Sequence, residues 1–215
     1  MIKAIIFDLD GVIVSTDDFH YQAWKLMADK EDIYFNREIN NRLRGVSRRE
    51  SLEIVLEKAI KQYMESEKLA LMEFKNREYV KLLDTLSKNA ILPGVTELLA
   101  YLKNKNYLVA IGSSSKNTKK ILRQIELLDC FDAIADGTDI IRSKPAPDVF
   151  LAAAKKLNIN PKECAVIEDA LAGIKAAKSA GMLAIAIHDA AKYNEADIII
   201  QKPTDLITIL KSIKK

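Results

Sequence analysis

Met1-Ile2-Lys3-Ala4-Ile5-Ile6-Phe7-Asp8-Leu9-Asp10-Gly11-Val12 decides how the rest of the chain is read. Ala4–Phe7 is apolar without alternation, which suits a strand covered on both faces and so a parallel sheet. It runs into Asp8 and Asp10, one residue apart, and then into Gly11, a turn residue. Open α/β sheets bind ligands beyond the carboxyl ends of their strands. If the strand geometry persists, alternation puts both carboxylates on one side. Such a pair invites a hard cation, or divides into nucleophile and acid/base. Taken alone it reads equally well as an ordinary strand end.

Five further short apolar runs extend the pattern: Leu108–Ile111, Ala133–Ala135, Ala165–Ile167, Leu183–Ile187 and Ile198–Ile200. Helical spacing lies between them. It is seen in Val95, Leu98, Leu99 and Leu102 after Pro93-Gly94, across Asn117–Leu128, across Pro147–Leu157, and across Asp169–Ala180 with Gly181 as C-cap. Alternating strands and helices predict a doubly wound α/β core with a Rossmann-like parallel sheet. The stretch after the first strand has no strand-like run. Tyr21–Met27, Ile39–Leu43, Ser51–Ile60 and Lys68–Leu86 read as helices. A loop that long needs structure of its own. We therefore expect an α-helical cap at 15–88 inserted into a core made of 1–14 and 89–215.

Composition agrees. A chain of 215 residues holds one large domain, or one domain and a smaller one. With 49% hydrophobic and 29% charged residues, disorder is excluded. No apolar run nears the ~20 residues of a membrane helix, so no membrane association is expected. Two acids fall in the first ten residues, and no secretory signal is expected. A net charge of +3 is too mild to argue for nucleic acid. Cys130 and Cys164 have no metal-type spacing, so both are expected as buried small hydrophobes in a cytoplasmic protein, with a monomer the simplest state. Lys211, Lys214 and Lys215 suit the end of a last helix.

Three other strand ends carry polar residues. Ile111 leads into Gly112-Ser113-Ser114-Ser115-Lys116-Asn117, where hydroxyls and amides before a helix offer an anion site or an ordinary cap. Arg142-Ser143-Lys144-Pro145-Ala146-Pro147-Asp148 holds a Lys before two prolines, as a phosphate partner or as a plain turn Lys. Ile167 leads into Glu168-Asp169, a candidate metal pair or simply acids in a first helical turn. Together they place acids, hydroxyls and a Lys at four strand ends, in an order that suits phosphoryl transfer.

This set resembles the haloacid dehalogenase superfamily over essentially the whole chain. His20, Trp24, Gly45-Val46-Ser47-Arg48-Arg49-Glu50-Ser51, Lys75-Asn76 and the two core loops look like the β-phosphoglucomutase family within it. Ser15, where that family often has Asp, and the non-glycine-rich stretch 187–195 depart from it.

The resemblance implies interconversion of β-glucose 1-phosphate and glucose 6-phosphate through β-glucose 1,6-bisphosphate, with a small-molecule sugar phosphate as the partner. Asp8 would attack phosphorus and Asp10 would serve as acid and base. Mg²⁺ would join the Asp8 carboxylate, the Asp10 backbone carbonyl and Asp169, with Glu168 close by. Lys144 and Ser113 would hold the transferring oxygens. Gly45, Val46, Ser47, Arg48 and, less centrally, Arg49 would grip the distal phosphate, with Ser115, Lys116 and Asn117 on the core side. Lys75 would orient the sugar, with an exposed helical Lys as the competing reading, and Thr16 and His20 would act as hinge or proton-relay residues. Trp24 belongs either to the sugar site or to the cap core. Arg37, Arg42 and Arg44 are expected as a solvated helix face. A sugar-phosphate phosphatase on the same core is the nearest alternative. A phosphate-accepting receiver domain is more distant, because it needs only ~120 residues and no cap.

Overall fold

The computed structural model describes residues 1–213. β1 (Ala4–Phe7), β2 (Leu108–Gly112), β3 (Ala133–Ala135), β4 (Cys164–Glu168), β5 (Leu183–Ala186) and β6 (Ile198–Ile199) form one sheet in the order β3-β2-β1-β4-β5-β6. All pairings are parallel. β1 is central, and Phe7 is level with Ile111 of β2 and Ile167 of β4. The residues that follow these three strands therefore emerge side by side. The strand order reverses between β1 and β4, which opens the crevice that such sheets use for ligands.

The period of two along β1 sends Ile5 and Phe7 to one face and Ala4 and Ile6 to the other. The first face is covered by α5 (Val95–Asn104), α6 (Thr118–Gln124) and α9 (Asp205–Ile213), through Leu98, Leu102, Ile121, Leu122 and Leu206. The second is covered by α7 (Asp148–Leu157) and α8 (Leu171–Ser179), through Val149, Phe150, Ile174 and Ala177. Each large apolar side chain buried this way contributes about 1.5–3 kcal/mol.

Between β1 and α5 lie α1 (Asp17–Lys30), α2 (Arg37–Asn41), α3 (Arg48–Leu56) and α4 (Glu65–Leu83). They enclose a core of their own around Trp24, Met27, Phe35, Leu52, Val55 and Leu71. Tyr79 and Leu83 of α4 instead join the core on the first face of the sheet, with Val12, Ile13 and Val14. Ser47 caps α3 in a reciprocal box. The Glu50 amide donates to Ser47 Oγ at 3.2 Å, and the Ser47 amide donates to Glu50 Oε2 at 2.8 Å.

Several boundaries differ from the sequence reading. α3 stops at Leu56, and Ile60 is fully exposed, because the apolar stripe ends at Val55 and the chain turns. α6 stops at Gln124, where Glu126 at φ +56° reverses the chain and delivers Leu127 to the core. Leu128–Cys130 is then a short 3₁₀ turn, and Cys130 is exposed rather than buried; Cys164 is buried as expected. α8 begins at Leu171, so Asp169 lies in the turn before the helix and not in its first turn. Lys211 lies in the last turn of α9, while Lys214 and Lys215 fall outside the described residues. No helix among the described residues is long and apolar enough to cross a membrane.

Candidate active site

A cleft of about 880 Å³ opens between the carboxyl ends of the strands and the helical layer. Every residue singled out from the sequence as catalytic, binding or metal-holding lines it except Thr16, which is buried just behind.

Asp8 follows the last residue of β1, and its amide donates to the Ile167 carbonyl at 3.0 Å. Strand geometry does not persist beyond it. The chain turns through Gly11, at φ +84°, whose amide donates to the Val14 carbonyl at 2.7 Å. A Cβ on Gly11 would sit 2.0 Å from Asp169 Oδ2, so only glycine lets this turn pass the acid. The turn brings Asp10 back toward α1. Its carboxylate accepts from the Thr16 amide at 2.7 Å and from Thr16 Oγ1 at 2.6 Å. Burial raises the Asp10 pKa to about 6, with the two Thr16 bonds opposing and Asp8 adding to the rise.

Behind Asp10 runs a chain of polar contacts, buried at Thr16, Tyr79 and Lys75. Thr16 Oγ1 and the Tyr79 hydroxyl are 2.8 Å apart. His20 Nε2 is 3.8 Å from Asp10 Oδ2, and His20 Nδ1 is 2.8 Å from Lys75 Nζ. Lys75 is not an exposed helical lysine. It is buried, with its ammonium 4.5 Å from the Tyr79 ring centre and 5.1 Å from that of Trp24. Trp24 thus packs in the helical core and also borders the cleft. Burial, then the positive charge of Arg48, push Lys75 well below its ordinary value. Burial, then Lys75, do the same to His20.

Lys144 is held between two acids, with Nζ 2.5 Å from both Asp8 Oδ1 and Glu168 Oε1. It is 2% exposed, which removes the turn-lysine reading. Burial alone would lower its pKa, but the charges of Asp8 and Glu168 outweigh that and raise it. Asp8, Glu168 and Asp169 each offer an oxygen within 4.8 Å of the others. Burial and the neighbouring carboxylates raise both Glu168 and Asp169. Glu168 is partly satisfied by Lys144 and by the Ala170 amide at 2.9 Å. No described donor reaches the Asp169 carboxyl. An acid turned into a cluster of acids with no donor of its own fits a hard divalent cation, which takes oxygen ligands. The Asp10 carboxyl is not in this cluster, being held by Thr16.

Ser113 is buried at the end of β2, and its Oγ accepts from the Ser115 amide at 3.2 Å. Ser115 Oγ in turn accepts from the Asn117 amide at 3.2 Å. Asn117 stands at the N-cap of α6, yet its side chain makes no cap bond. Its Nδ2 reaches across the cleft to Asn76 Oδ1 of α4, at 3.0 Å. Arg48 Nη2 donates to the same oxygen at 2.8 Å. No described carboxylate pairs with Arg48, and Lys116 has no described partner at all. Two cations without a described carboxylate partner therefore line the same cleft as Asp8. Arg49 differs: its guanidinium is tied to Glu53 at 2.9 Å and to Glu65 at 2.7 Å.

Asn76, Tyr79 and Asp17 belong to this site without having been singled out for roles. For Tyr79 and Asn76 the available signal was helical spacing, since Lys75 and Tyr79 share one face of α4 with Asn76 beside them. Arg37 and Arg42 are solvated as expected, paired with Asp18 and Glu57. Arg44 departs from that expectation. It lies in the turn between α2 and α3 and pairs across the cleft mouth with Asp189.

The sequence of residues 2–181 matches the haloacid dehalogenase-like hydrolase family. The chain belongs to this family. Among haloacid dehalogenase-like proteins it is 47% identical to β-phosphoglucomutase of Bacillus subtilis over 206 residues, covering 95% of this chain and 91% of that protein. It is 31% identical to a phosphorylated carbohydrates phosphatase of Thermotoga maritima, covering 98% of this chain and 99% of that one. The crystal structure of β-phosphoglucomutase from Clostridium difficile superposes with a TM-score of 0.92 at 39% identity, covering 100% of this chain and 98% of that one. The six-stranded core with helices on both faces is the fold of this family, as the sequence predicted.

Proposed function

We propose that this chain is a β-phosphoglucomutase, with 1–14 and 89–215 as its core and 15–88 as a cap closing on it. The observation that carries the reading is the pair of anion-seeking sites in one cleft. One group is Asp8, Ser113 and Lys144, and the other is Arg48 and Lys116, neither paired with a described carboxylate, together with Asn117. A phosphatase acting on a monophosphate needs only the first. A mutase must bind a bisphosphate in either orientation and so needs both.

In the first half-reaction Asp8 attacks the bisphosphate's phosphorus. The bond from phosphorus to the sugar oxygen breaks, and Asp10 donates a proton to that oxygen. In the second half, Asp10 takes the proton from a hydroxyl of a sugar monophosphate. That oxygen attacks the phosphoryl group on Asp8, and the carboxylate leaves. A pKa of about 6 lets Asp10 act in both directions near neutrality. Lys144 neutralises Asp8 and the oxygens it receives, Ser113 donates to them, and Arg48 holds the distal phosphate through a planar fork. Buried Thr16, Lys75 and Tyr79 back Asp10 with His20 beside them, and closing the cap over this wall would disfavour water as acceptor. Asp8, Glu168 and Asp169 would hold Mg²⁺, which when bound would supply positive charge to neutralise the transferring phosphoryl group. We read the chain as cytoplasmic, because its exposed thiol is unpaired and suits a reducing compartment, and take a monomer as its simplest state.

The test supplies β-glucose 1-phosphate with trace bisphosphate. Glucose 6-phosphate should form far faster than inorganic phosphate, and the reverse order would make the chain a phosphatase. Arg48→Ala should lower kcat/KM for β-glucose 1-phosphate by ~100-fold, the cost of losing charged hydrogen bonds to a phosphate. Steady-state kinetics would show this, and an effect below ~5-fold would remove Arg48 from the distal site.

Metal binding has its own readout. At a concentration ~100 times Kd, Mg²⁺ should stabilise the fold by about 2.7 kcal/mol, visible as a rise in melting temperature. Asp169→Asn should abolish most of that rise. An unchanged rise would exclude Asp169 as a ligand.

A further inference from the structure

Arg44 is the one arginine of the 37–44 stretch that reaches the sheet side of the cleft. Its Nη1 donates to Asp189 Oδ2 at 2.8 Å, in the loop after β5. Its other nitrogens grip Asp17, at the start of α1, with Nη2 to Oδ2 at 3.0 Å and Nε to Oδ1 at 3.3 Å. Asn40 Nδ2 donates to the same Asp17 oxygen at 3.1 Å, and Lys192 Nζ donates to Asp189 Oδ1 at 2.5 Å. The two acids, with Asp169 behind them, raise the Arg44 pKa, hydrogen bonding to Asp17 being the largest cause. The backbone beside Arg44 is close to the core as well. A Cβ on Gly45 would lie 3.0 Å from the Ala170 Cβ, so the turn after Arg44 seats against the start of α8. On the far side of the cleft, Asn76 and Asn117 make the matching contact. The loop that carries Asp189 is the stretch 187–195, and its first cleft residue, His188, is held at φ +53°.

We propose that Arg44 and Asp189 are positioning residues whose ion pair holds the cap against the core at the open side of the cleft. They thereby set how the phosphoryl group on Asp8 divides between sugar and water. The pairing rests on geometry alone; its catalytic consequence rests on the mutase reading. Arg44 is the centre of the device, since one guanidinium ties the hinge-side acid Asp17 to the core acid Asp189. Neither residue touches the reacting atoms. The pair is about half exposed, so its effect is that of a solvent-screened bridge.

The test is a double-mutant cycle on the full chain with Asp189→Asn, Arg44→Gln and both together. Inorganic phosphate released per glucose 6-phosphate formed should rise roughly two- to five-fold in Asp189→Asn. The double variant should be no worse than Arg44→Gln alone, because each change removes the same bond. High salt should raise the same ratio in the native chain and leave Asp189→Asn nearly unchanged. Multiplicative effects, or an unchanged ratio in folded variants, would overturn the proposal. Hydrogen exchange of the unliganded protein separates this outcome from failure of the mutase reading. Amides at 45–47 and 187–190 should exchange roughly two- to five-fold faster in Asp189→Asn, whatever reaction the chain catalyses. Unchanged exchange at both segments would show that the pair holds nothing.

Discussion

Asp8→Asn should lower turnover by ~10⁴-fold or more while leaving the fold intact. The first half of this expectation follows from chemistry, since an amide oxygen is no nucleophile toward phosphorus. The second follows from the charges around it. Asp8 is buried beside Glu168 and Asp169, and its charge raises both of their pKa values. The Asn variant removes that repulsion, and Lys144 keeps its second partner, Glu168 at 2.5 Å. The melting temperature should therefore stay the same or rise. Kinetics and calorimetry on one preparation check both halves. Turnover above ~1% of native, in protein shown by mass to be free of deamidated Asp8, would remove Asp8 as nucleophile.

Lys144→Met should cost both activity and stability. Methionine fills the same apolar path along Phe150, whose ring centre lies 4.7 Å from Nζ, so packing changes little. The loss is electrostatic: two buried carboxylates are left without their cation, a change that typically costs 3–5 kcal/mol. The pH dependence has a definite sign. Lys144 lowers the folded-state pKa values of Glu168 and Asp169, which burial and the neighbouring acids raise, so without it both rise further above their unfolded values. The variant therefore approaches native stability below the unfolded carboxylate range, near pH 4. The gap widens as pH rises through the elevated folded values. Denaturant midpoints at pH 5 and pH 8 measure it, and the gap should be larger at pH 8. Mg²⁺ should close part of it by supplying positive charge. A gap independent of pH would mean that Lys144 acts through packing. In activity, loss of a buried cation from the transferring oxygens should cost roughly 10²–10³-fold in kcat.

Much of this was legible in the sequence because the strands are short, apolar and without alternation. Ala4–Phe7 placed Asp8, and the same pattern placed Ser113 and Glu168 at neighbouring strand ends. What the sequence hid were properties of chain reversals and of partners distant along the chain. Glu126 in a left-handed conformation ended α6 early, although no glycine announced it. Asp169 fell outside α8 because Ala170, in an extended conformation, is the N-cap and the helix starts at Leu171. Arg44 looked like its neighbours Arg37 and Arg42, and only its partner 145 positions away separates it from them. Lys75 could be read as exposed until Trp24, Tyr79 and His20 were seen around it. Cys130 looked like a buried small hydrophobe, but the 3₁₀ turn after α6 carries it to the surface.

The account stands on Asp8 carrying the phosphoryl group between sugars. The most direct measurement is transfer of an isotopically labelled phosphoryl group from β-glucose 1,6-bisphosphate, followed by acid quenching and peptide mass spectrometry. The account predicts label on the peptide containing Asp8 within the first turnover, and its quantitative passage to added β-glucose 1-phosphate. Label that reaches the sugar without ever appearing on that peptide, or that appears there and leaves only as inorganic phosphate, would contradict it.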